Sequence, residues 1–326
     1  MKSSPEIQLA QDLIRMPSTP GSGGEAVVAQ FLADRLETAG FRTVVHNYGD
    51  GEHSNVVARW GRDDQPAVCL SGHLDTVTVV EEQWQFDPYA ADIVGSRLLG
   101  RGSVDMKAGV AAMVHAVEAY VASAAPDATP VTVLLTAEEE VGSLGAAALA
   151  REPGLLAPSR LLLVAEPTSN QPAVGHRGAL WLDLVASGRS CHGSTPQLGE
   201  NAIERLMDGL MLVRDWCARH ATGHEVLGGR TLNIGRLNGG VLRNIVPDCA
   251  VAELDIRTPS EEEQSTLVDT LTTLMGDLAR VEPIVSLPPV YTSPTDPTFR
   301  LVQAVARARV AVTDPPTVAR FFTPAC

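Results

Sequence analysis

The stretch "VTVLLTAEEEVGS", Val131 to Ser143, carries an apolar run into three consecutive carboxylates, Glu138, Glu139 and Glu140. Like charges side by side repel one another, so the run is either a solvated turn or the rim of a cation site. Three other stretches bear on the choice. "VCLSGHLDTV" ends an apolar run with His73 and Asp75, two apart, so they point the same way if the strand continues through them. "LLGRGSVDMKAG" sets Asp105 directly before a helical pattern, and "LLLVAEPT" ends another apolar run with Glu166. Open α/β sheets gather functional groups at the carboxyl ends of their strands. A single histidine there is more often structural. Histidine and carboxylates at successive strand ends form the mixed nitrogen and oxygen donor set that zinc and related divalent ions take.

The elements that must position these residues are legible as alternating patterns. "EAVVAQFLADRLETAG" has helical periodicity and ends at Gly40, a residue suited to a helix C-cap. "FRTVVHN", "NVVARW", "AVCLSGH", "VTVLLT" and "RLLLVAEP" read as strands, with helices at "DMKAGVAAMVHAVEAYVAS" and "SLGAAALAR". Strands alternating with helices predict an α/β domain with a mixed, mainly parallel sheet flanked by helices. From about Ala179 the order becomes β-α-β-β-α-β, the split unit of ferredoxin-like folds, read here as an inserted α+β domain. Its second helix, "SEEEQSTLVDTLTTLMGDLAR", opens with a serine cap and an acidic first turn. The predicted division is 1–178 with 291–326 for the first domain and 179–290 for the insert.

Composition limits the function classes. The chain has 326 residues, 44% of them hydrophobic, enough for a buried core. A net charge of −14 argues against a broad face for nucleic acid or an anionic membrane. The amino-terminal "MKSSPEIQLAQDLIRMPS" reads as an amphipathic helix rather than a secretory signal, and no apolar run has the length of a membrane span. Five scattered cysteines, in no paired motif, predict a reducing, cytoplasmic setting.

"SGHLDTV", "GRGSVDMKAG", "TAEEEVGSLGA" and "AEPT", in that order, resemble the dinuclear-zinc amidohydrolase and peptidase family that includes succinyl-diaminopimelate desuccinylase, acetylornithine deacetylase and glutamate carboxypeptidase. The resemblance covers nearly the whole chain and implies two divalent metal ions, zinc with cobalt or manganese as alternatives. It implies metal ligation by His73, Asp105, Glu140 and Glu166, with Asp105 bridging. By the same resemblance Asp75 would orient His73 and raise its basicity, Glu138 stands where the family usually has Asp, and Glu139 matches the general base. Two cations would neutralise the crowded rim and leave one glutamate to move protons. "GRSCHGSTPQLGENAI" is similar to the segment whose histidine reaches a partner subunit's active site, which makes His192 the oxyanion candidate. "VLRNIVPD", "LDIRTP" and "GHRGAL" match substrate-anchoring segments and give Asn244, Arg257 and Arg177 as candidates for holding a carboxylate. The implied activity is hydrolysis of the amide bond of a small N-acyl amino acid by a homodimer paired through the inserted lid/dimerisation domain. Dipeptidase or carboxypeptidase action is the alternative within the family.

One departure is visible. The family pattern implies a final metal histidine near the carboxyl terminus, and no histidine follows His224 here. The sequence stops at "TVARFFTPAC", where the last strands of the first domain are expected. The expectation is therefore a first domain lacking its carboxyl-terminal strands, with an impaired second metal site or an inactive remnant.

Overall fold

The computed structural model describes residues 4–49, 51–311 and 317–319, and they form two compact units that divide at Asn170 and Gln171. The first unit contains α1 (Pro5–Ile14), α2 (Gly24–Thr38), β1 (Arg42–Tyr48), β2 (His53–Trp60), β3 (Ala67–His73), β4 (Ile93–Val94), β5 (Arg97–Leu98), α3 (Lys107–Ser123), β6 (Val131–Thr136), α4 (Leu144–Ala150) and β7 (Ser159–Val164). Its main sheet has the order β1-β2-β6-β3-β7. β3 runs parallel to both β6 and β7, while β2 is antiparallel to β1 and β6, so every strand except β2 points the same way.

The apolar spacing of the helices explains the packing. Leu9 and Leu13 of α1, Val28, Leu32 and Leu36 of α2, and Val110, Val114 and Val117 of α3 recur every three or four residues. They join Val56, Val133 and Leu135 of the sheet in one buried cluster. A buried lysine ties α1 to α3: Lys107 Nζ donates to Leu13 O at 2.9 Å and Met16 O at 2.6 Å. These carbonyls belong to the end of α1 and to the residues just past it, where a helix lacks internal partners and favours a cation. Burial pushes the Lys107 pKa down to about 8. Gly109 lets α3 approach closely, since a Cβ there would lie 2.3 Å from Ala165 O, one residue before Glu166.

The second unit contains β8 (Ala173–His176), β9 (Gly178–Ser187), α5 (Ala202–Arg219), β10 (Gly223–His224), β11 (Gly228–Gly229), β12 (Thr231–Gly239), β13 (Cys249–Thr258), α6 (Glu261–Met275), β14 (Arg280–Leu287), β15 (Val290–Tyr291), α7 (Pro297–Arg307) and β16 (Thr317–Ala319). The elements β9-α5-β12-β13-α6-β14 follow the β-α-β-β-α-β order, with an antiparallel sheet ordered β12-β13-β9-β14. Alternate residues of β9 (Leu180, Leu182, Leu184) and β13 (Ala252, Leu254, Ile256) share a buried cluster with Leu206 and Leu210 of α5 and Leu267 and Leu271 of α6. Asn201 caps α5, and Ser260 caps α6 ahead of an acidic first turn. β8 pairs with β15 and β16. The terminal stretch "TVARFFTPAC" lies outside the described residues except for Thr317–Ala319. Among the described residues, no helix is long and apolar enough to cross a membrane.

The tight passage at Gly109 yields a prediction. Gly109→Ala forces α3 away from Ala165 and should cost about 1–3 kcal/mol of unfolding free energy, the range for overpacking. Denaturant unfolding monitored by circular dichroism checks this; an unchanged midpoint would mean that the contact is loose.

Candidate metal centre

Strand register brings three of the motifs together at the carboxyl ends of neighbouring strands. His73, the last residue of β3, pairs with Thr136 of β6, so the Ala137–Glu140 turn begins beside it. On its other side β3 pairs with β7, with Ser71 opposite Val164, two residues before Glu166. Asp105 arrives on the loop before α3, joined to Met106 by a cis peptide bond. Met106 is buried beneath the site, and its sulfur accepts the His73 backbone N–H at 3.1 Å.

The donors converge. One atom from each of His73, Asp105 and Glu140 lies within 4.8 Å of the others. Two ligands of one zinc ion, each about 2.0–2.2 Å from it, stand roughly 3–4.4 Å apart, so only small closing movements are needed. His73 Nε2 is 3.1 Å from Asp105 Oδ1 and 3.8 Å from Glu166 Oε1. Glu166 Oε1 is buried and has no hydrogen-bond partner among the described residues. A buried, unpaired carboxylate oxygen facing an imidazole and other carboxylates fits a cation ligand. Asp105 is the exposed member, which leaves the centre open to solvent on its side.

Asp75 acts from behind. Because β3 ends at His73, Asp75 is placed by the following loop, fully buried. Its Oδ1 lies 3.4 Å from His73 Nδ1, and that nitrogen is also 3.0 Å from the Asp75 carbonyl. The same carboxylate accepts the Glu139 N–H at Oδ1, 3.0 Å, and the Glu140 N–H at Oδ2, 2.9 Å. One side chain thus orients a histidine donor and the backbone of two glutamates. Glu138 faces elsewhere: it accepts from Tyr48 Oη at 2.9 Å and lies 3.6 Å from His53 Nε2.

The electrostatics are those of crowded acid groups. Burial, then the neighbouring Glu166, Asp75 and Glu140 working against His73, pushes Glu139 up to about 9. Burial, with Asp105 and Glu140 beside it, raises Glu166 to about 7. Burial also raises Glu140, with His73 and the Arg101 guanidinium opposing. Burial alone would lower His73, but hydrogen bonds to Asp105 and Asp75 and the charges of Asp75 and Glu139 hold it well above its ordinary value. Arg101 sits over the Trp84 ring, 5.2 Å from its centroid.

The remaining sequence candidates lie in the second unit and form two groups. His192 and Asn244 sit on adjoining loops: Gly193 N donates to Asn244 O at 2.8 Å, and His192 bridges Ile245. The His192 ring bonds to Ser194 Oγ at 2.7 Å. Arg177 donates to Gly229 O at 2.8 Å and approaches Thr231 Oγ1 at 3.3 Å. Arg257 pairs with Thr231 in the sheet and with the Asp255 carboxylate at 2.8 Å. The His192 loop follows the Ser187 end of β9 and Arg257 pairs with Ala179 at the other end, so the two groups are separated by roughly 25–30 Å of strand at ~3.3 Å per residue. Sequence reading passed over Glu25, Asn55, Lys107 and Met106. Lys107 and Met106 adjoin Asp105 inside a quoted motif, whereas nothing in their own segments marks Glu25 or Asn55.

Comparison with known proteins bears directly on this centre. Residues 69–323 match the sequence profile described as Peptidase family M20/M25/M40. A probable carboxypeptidase of Aspergillus clavatus is 36% identical over 270 residues, covering 79% of this chain and 58% of that protein. A succinyl-diaminopimelate desuccinylase of Rhodospirillum centenum is 32% identical over 261 residues, covering 77% of this chain and 67% of that protein. The chain therefore spans about three fifths to two thirds of these curated relatives. Among solved structures, an M20 family metallo-carboxypeptidase of Sulfolobus solfataricus superposes with a TM-score of 0.75 at 18% identity, covering 99% and 88% of the two chains. A dinuclear metal binding peptidase of Bacillus subtilis gives 0.64 at 17% identity, covering 98% and 83%. At such identities the structural likeness establishes the fold.

The acid crowd sets a pH dependence. Glu139, Glu140 and Glu166 all have folded-state values above 4.5. Above pH 4.5 the metal-free folded chain therefore holds protons that the unfolded chain has lost, and stability falls as pH rises through the raised values. His73, raised, acts in the same sense; His176, lowered by burial, opposes it below 6.5, and Lys107 opposes it only above about 8, between its folded value and 10.5. The metal-free melting temperature should drop from about pH 5 to about pH 8, and zinc should recover much of the loss at the upper end; a flat or rising profile contradicts this. Asp75→Asn places an amide N–H against the backbone donors and should weaken zinc binding about 10–100-fold, measured by competition with a chromophoric chelator.

Proposed function

The chain belongs to Peptidase family M20/M25/M40, and we propose that it hydrolyses the amide bond of an N-acyl amino acid with two divalent cations bound, zinc by first choice and cobalt or manganese as substitutes. The observation that carries this reading is the convergence of His73, Asp105 and Glu140, with the buried Glu139 held against Asp75 beside them. Glu166 completes the donor set, with its Oε1 3.8 Å from His73 Nε2. Bound there, divalent cations would supply Lewis-acid polarisation of a carbonyl and a lowered pKa for water.

The chain's own residues do the rest. Glu139 takes a proton from the attacking water on a carboxylate oxygen and returns it to the leaving nitrogen as the C–N bond breaks. Asp75 keeps both His73 and the Glu139 backbone in place during that transfer. The donor for the developing oxyanion is His192, and the anchors for the substrate carboxylate are Asn244, Arg257 and Arg177. His192 is assigned to the centre of a second copy, as the resemblance of its segment implies; Asn244 adjoins it, while Arg177 and Arg257 lie at the other end of the same sheet. The edge strand β12 exposes Ile234 and Leu237, and α5 exposes Met207 and Met211, which supports pairing of two copies across this face. The free cysteines Cys69, Cys191, Cys217 and Cys249 fit a reducing cytoplasm.

The Rhodospirillum relative favours a succinyl substrate, and acetyl substrates are the near alternative. The Aspergillus relative favours a second reading, carboxypeptidase action on a peptide. Zinc- or cobalt-loaded protein assayed side by side on N-succinyl, N-acetyl and dipeptide substrates separates them. Glu139→Gln should lower kcat about 10²–10⁴-fold and leave metal content unchanged. A loaded chain that cleaves none of these substrates is an inactive remnant, and the proposed activity is then wrong.

A further inference from the structure

The turn that carries Glu139 has an unusual anchorage. Four consecutive amides, at Ala137, Glu138, Glu139 and Glu140, donate to side chains rather than to backbone carbonyls. Asn55 Oδ1 takes the first at 2.9 Å, Glu25 Oε1 the second at 2.7 Å, and the Asp75 carboxylate the last two at 3.0 and 2.9 Å. Glu138 adopts a left-handed backbone, φ 53°, which is uncommon for a residue other than glycine and persists where surroundings over-determine it. Asp75 belongs to the metal motif. Glu25 and Asn55 come from α2 and β2, far away in sequence; Asn55 also donates to Gly145 O at 3.1 Å, just past the turn.

Glu25 is fully buried, and burial raises its pKa. A carboxyl group in the interior is retained only where its oxygens are well bonded. Both are: Oε1 accepts the Glu138 amide, and Oε2 lies 2.9 Å from His53 Nδ1. His53 and Tyr48 also draw the Glu138 side chain to themselves. The left-handed backbone at Glu138 thus goes with a side chain directed to Tyr48 and His53, while Glu140 lies with His73 and Asp105.

We propose that Glu25 is a positioning residue for the centre: by accepting the Glu138 N–H, with Asn55 beside it on Ala137, it fixes the turn that aims Glu139 and Glu140. This rests on the reading of Glu139 as base and Glu140 as ligand. What matters is an acceptor oxygen at the right reach, not the charge. Glu25→Gln keeps that oxygen and lets its amide group donate to His53 Nδ1. Glu25→Asp keeps the charge but draws the oxygens back by about one C–C bond, ~1.5 Å.

The test measures hydrogen exchange at the Glu138, Glu139 and Glu140 amides in metal-free protein, cobalt affinity from the visible spectrum, and kcat and KM on an N-acyl amino acid. Glu25→Gln should stay within about threefold of wild type throughout. Glu25→Asp should exchange these amides at least about tenfold faster, bind cobalt about 10–100-fold more weakly, and lose kcat with little change in KM. Tyr48→Phe, which leaves the amide contact intact, should bind cobalt like wild type. The proposal is overturned if Glu25→Asp keeps its exchange rates and affinity, or if Glu25→Gln fails as badly as Glu25→Asp. If Glu25→Asp does not fold, Glu25→Gln decides, a tenfold loss in either readout overturning it. Wild-type protein that takes up no cobalt refutes the metal reading, and the exchange rates then still decide the role of Glu25.

Discussion

Repulsion among buried acid groups is the constraint on which the site depends. Asp75, Glu139 and Glu166 are largely removed from water, Glu140 is half-buried, and Asp105 stands against His73. No folded chain gathers this many carboxylates without compensation. Protons supply part of it, since burial and neighbouring carboxylates raise Glu139 to about 9 and Glu166 to about 7. His73 supplies another part, its value raised by the acids around it against the effect of burial. Divalent cations would supply more than either, because they neutralise several carboxylates at once and accept the lone pairs that protein donors leave unused.

The scaffold exists to hold that crowd in register. Parallel pairing of β3 with β6 and β7 sets the ends of three strands side by side. Close passage of α3 at Gly109 and the grip of Lys107 on the end of α1 fix the helix that Asp105 precedes. The turn after β6 is then pinned through its amides by Asn55, Glu25 and Asp75. Geometry that would drift by an ångström on a free loop is here tied to the core, as a catalytic arrangement requires.

Much of this was legible in the sequence, for identifiable reasons. Strands ending in His73, Thr136 and Val164 are apolar runs closed by polar residues, so period and chemistry change at the same place. The β-α-β-β-α-β order after Ala179 shows in alternating apolar residues such as Leu180, Leu182 and Leu184. Three identical letters, by contrast, do not say which glutamate faces the donors. That depends on the left-handed backbone of Glu138, which depends on Glu25, 113 residues earlier. Nor does a one-dimensional pattern show that His192 and Arg257 lie at opposite ends of one sheet, since that follows from strand pairing. Glu25 reads as an ordinary acidic residue in a helix's first turn, a place that favours negative charge on any helix.

The most direct test is anomalous diffraction from crystals of this chain grown with zinc. The account predicts two neighbouring peaks: one about 2.0–2.2 Å from His73 Nε2 and a carboxylate oxygen of Glu166, the other beside a carboxylate oxygen of Glu140, with Asp105 between them. Zinc found only elsewhere, or none with these side chains directed apart, would contradict it.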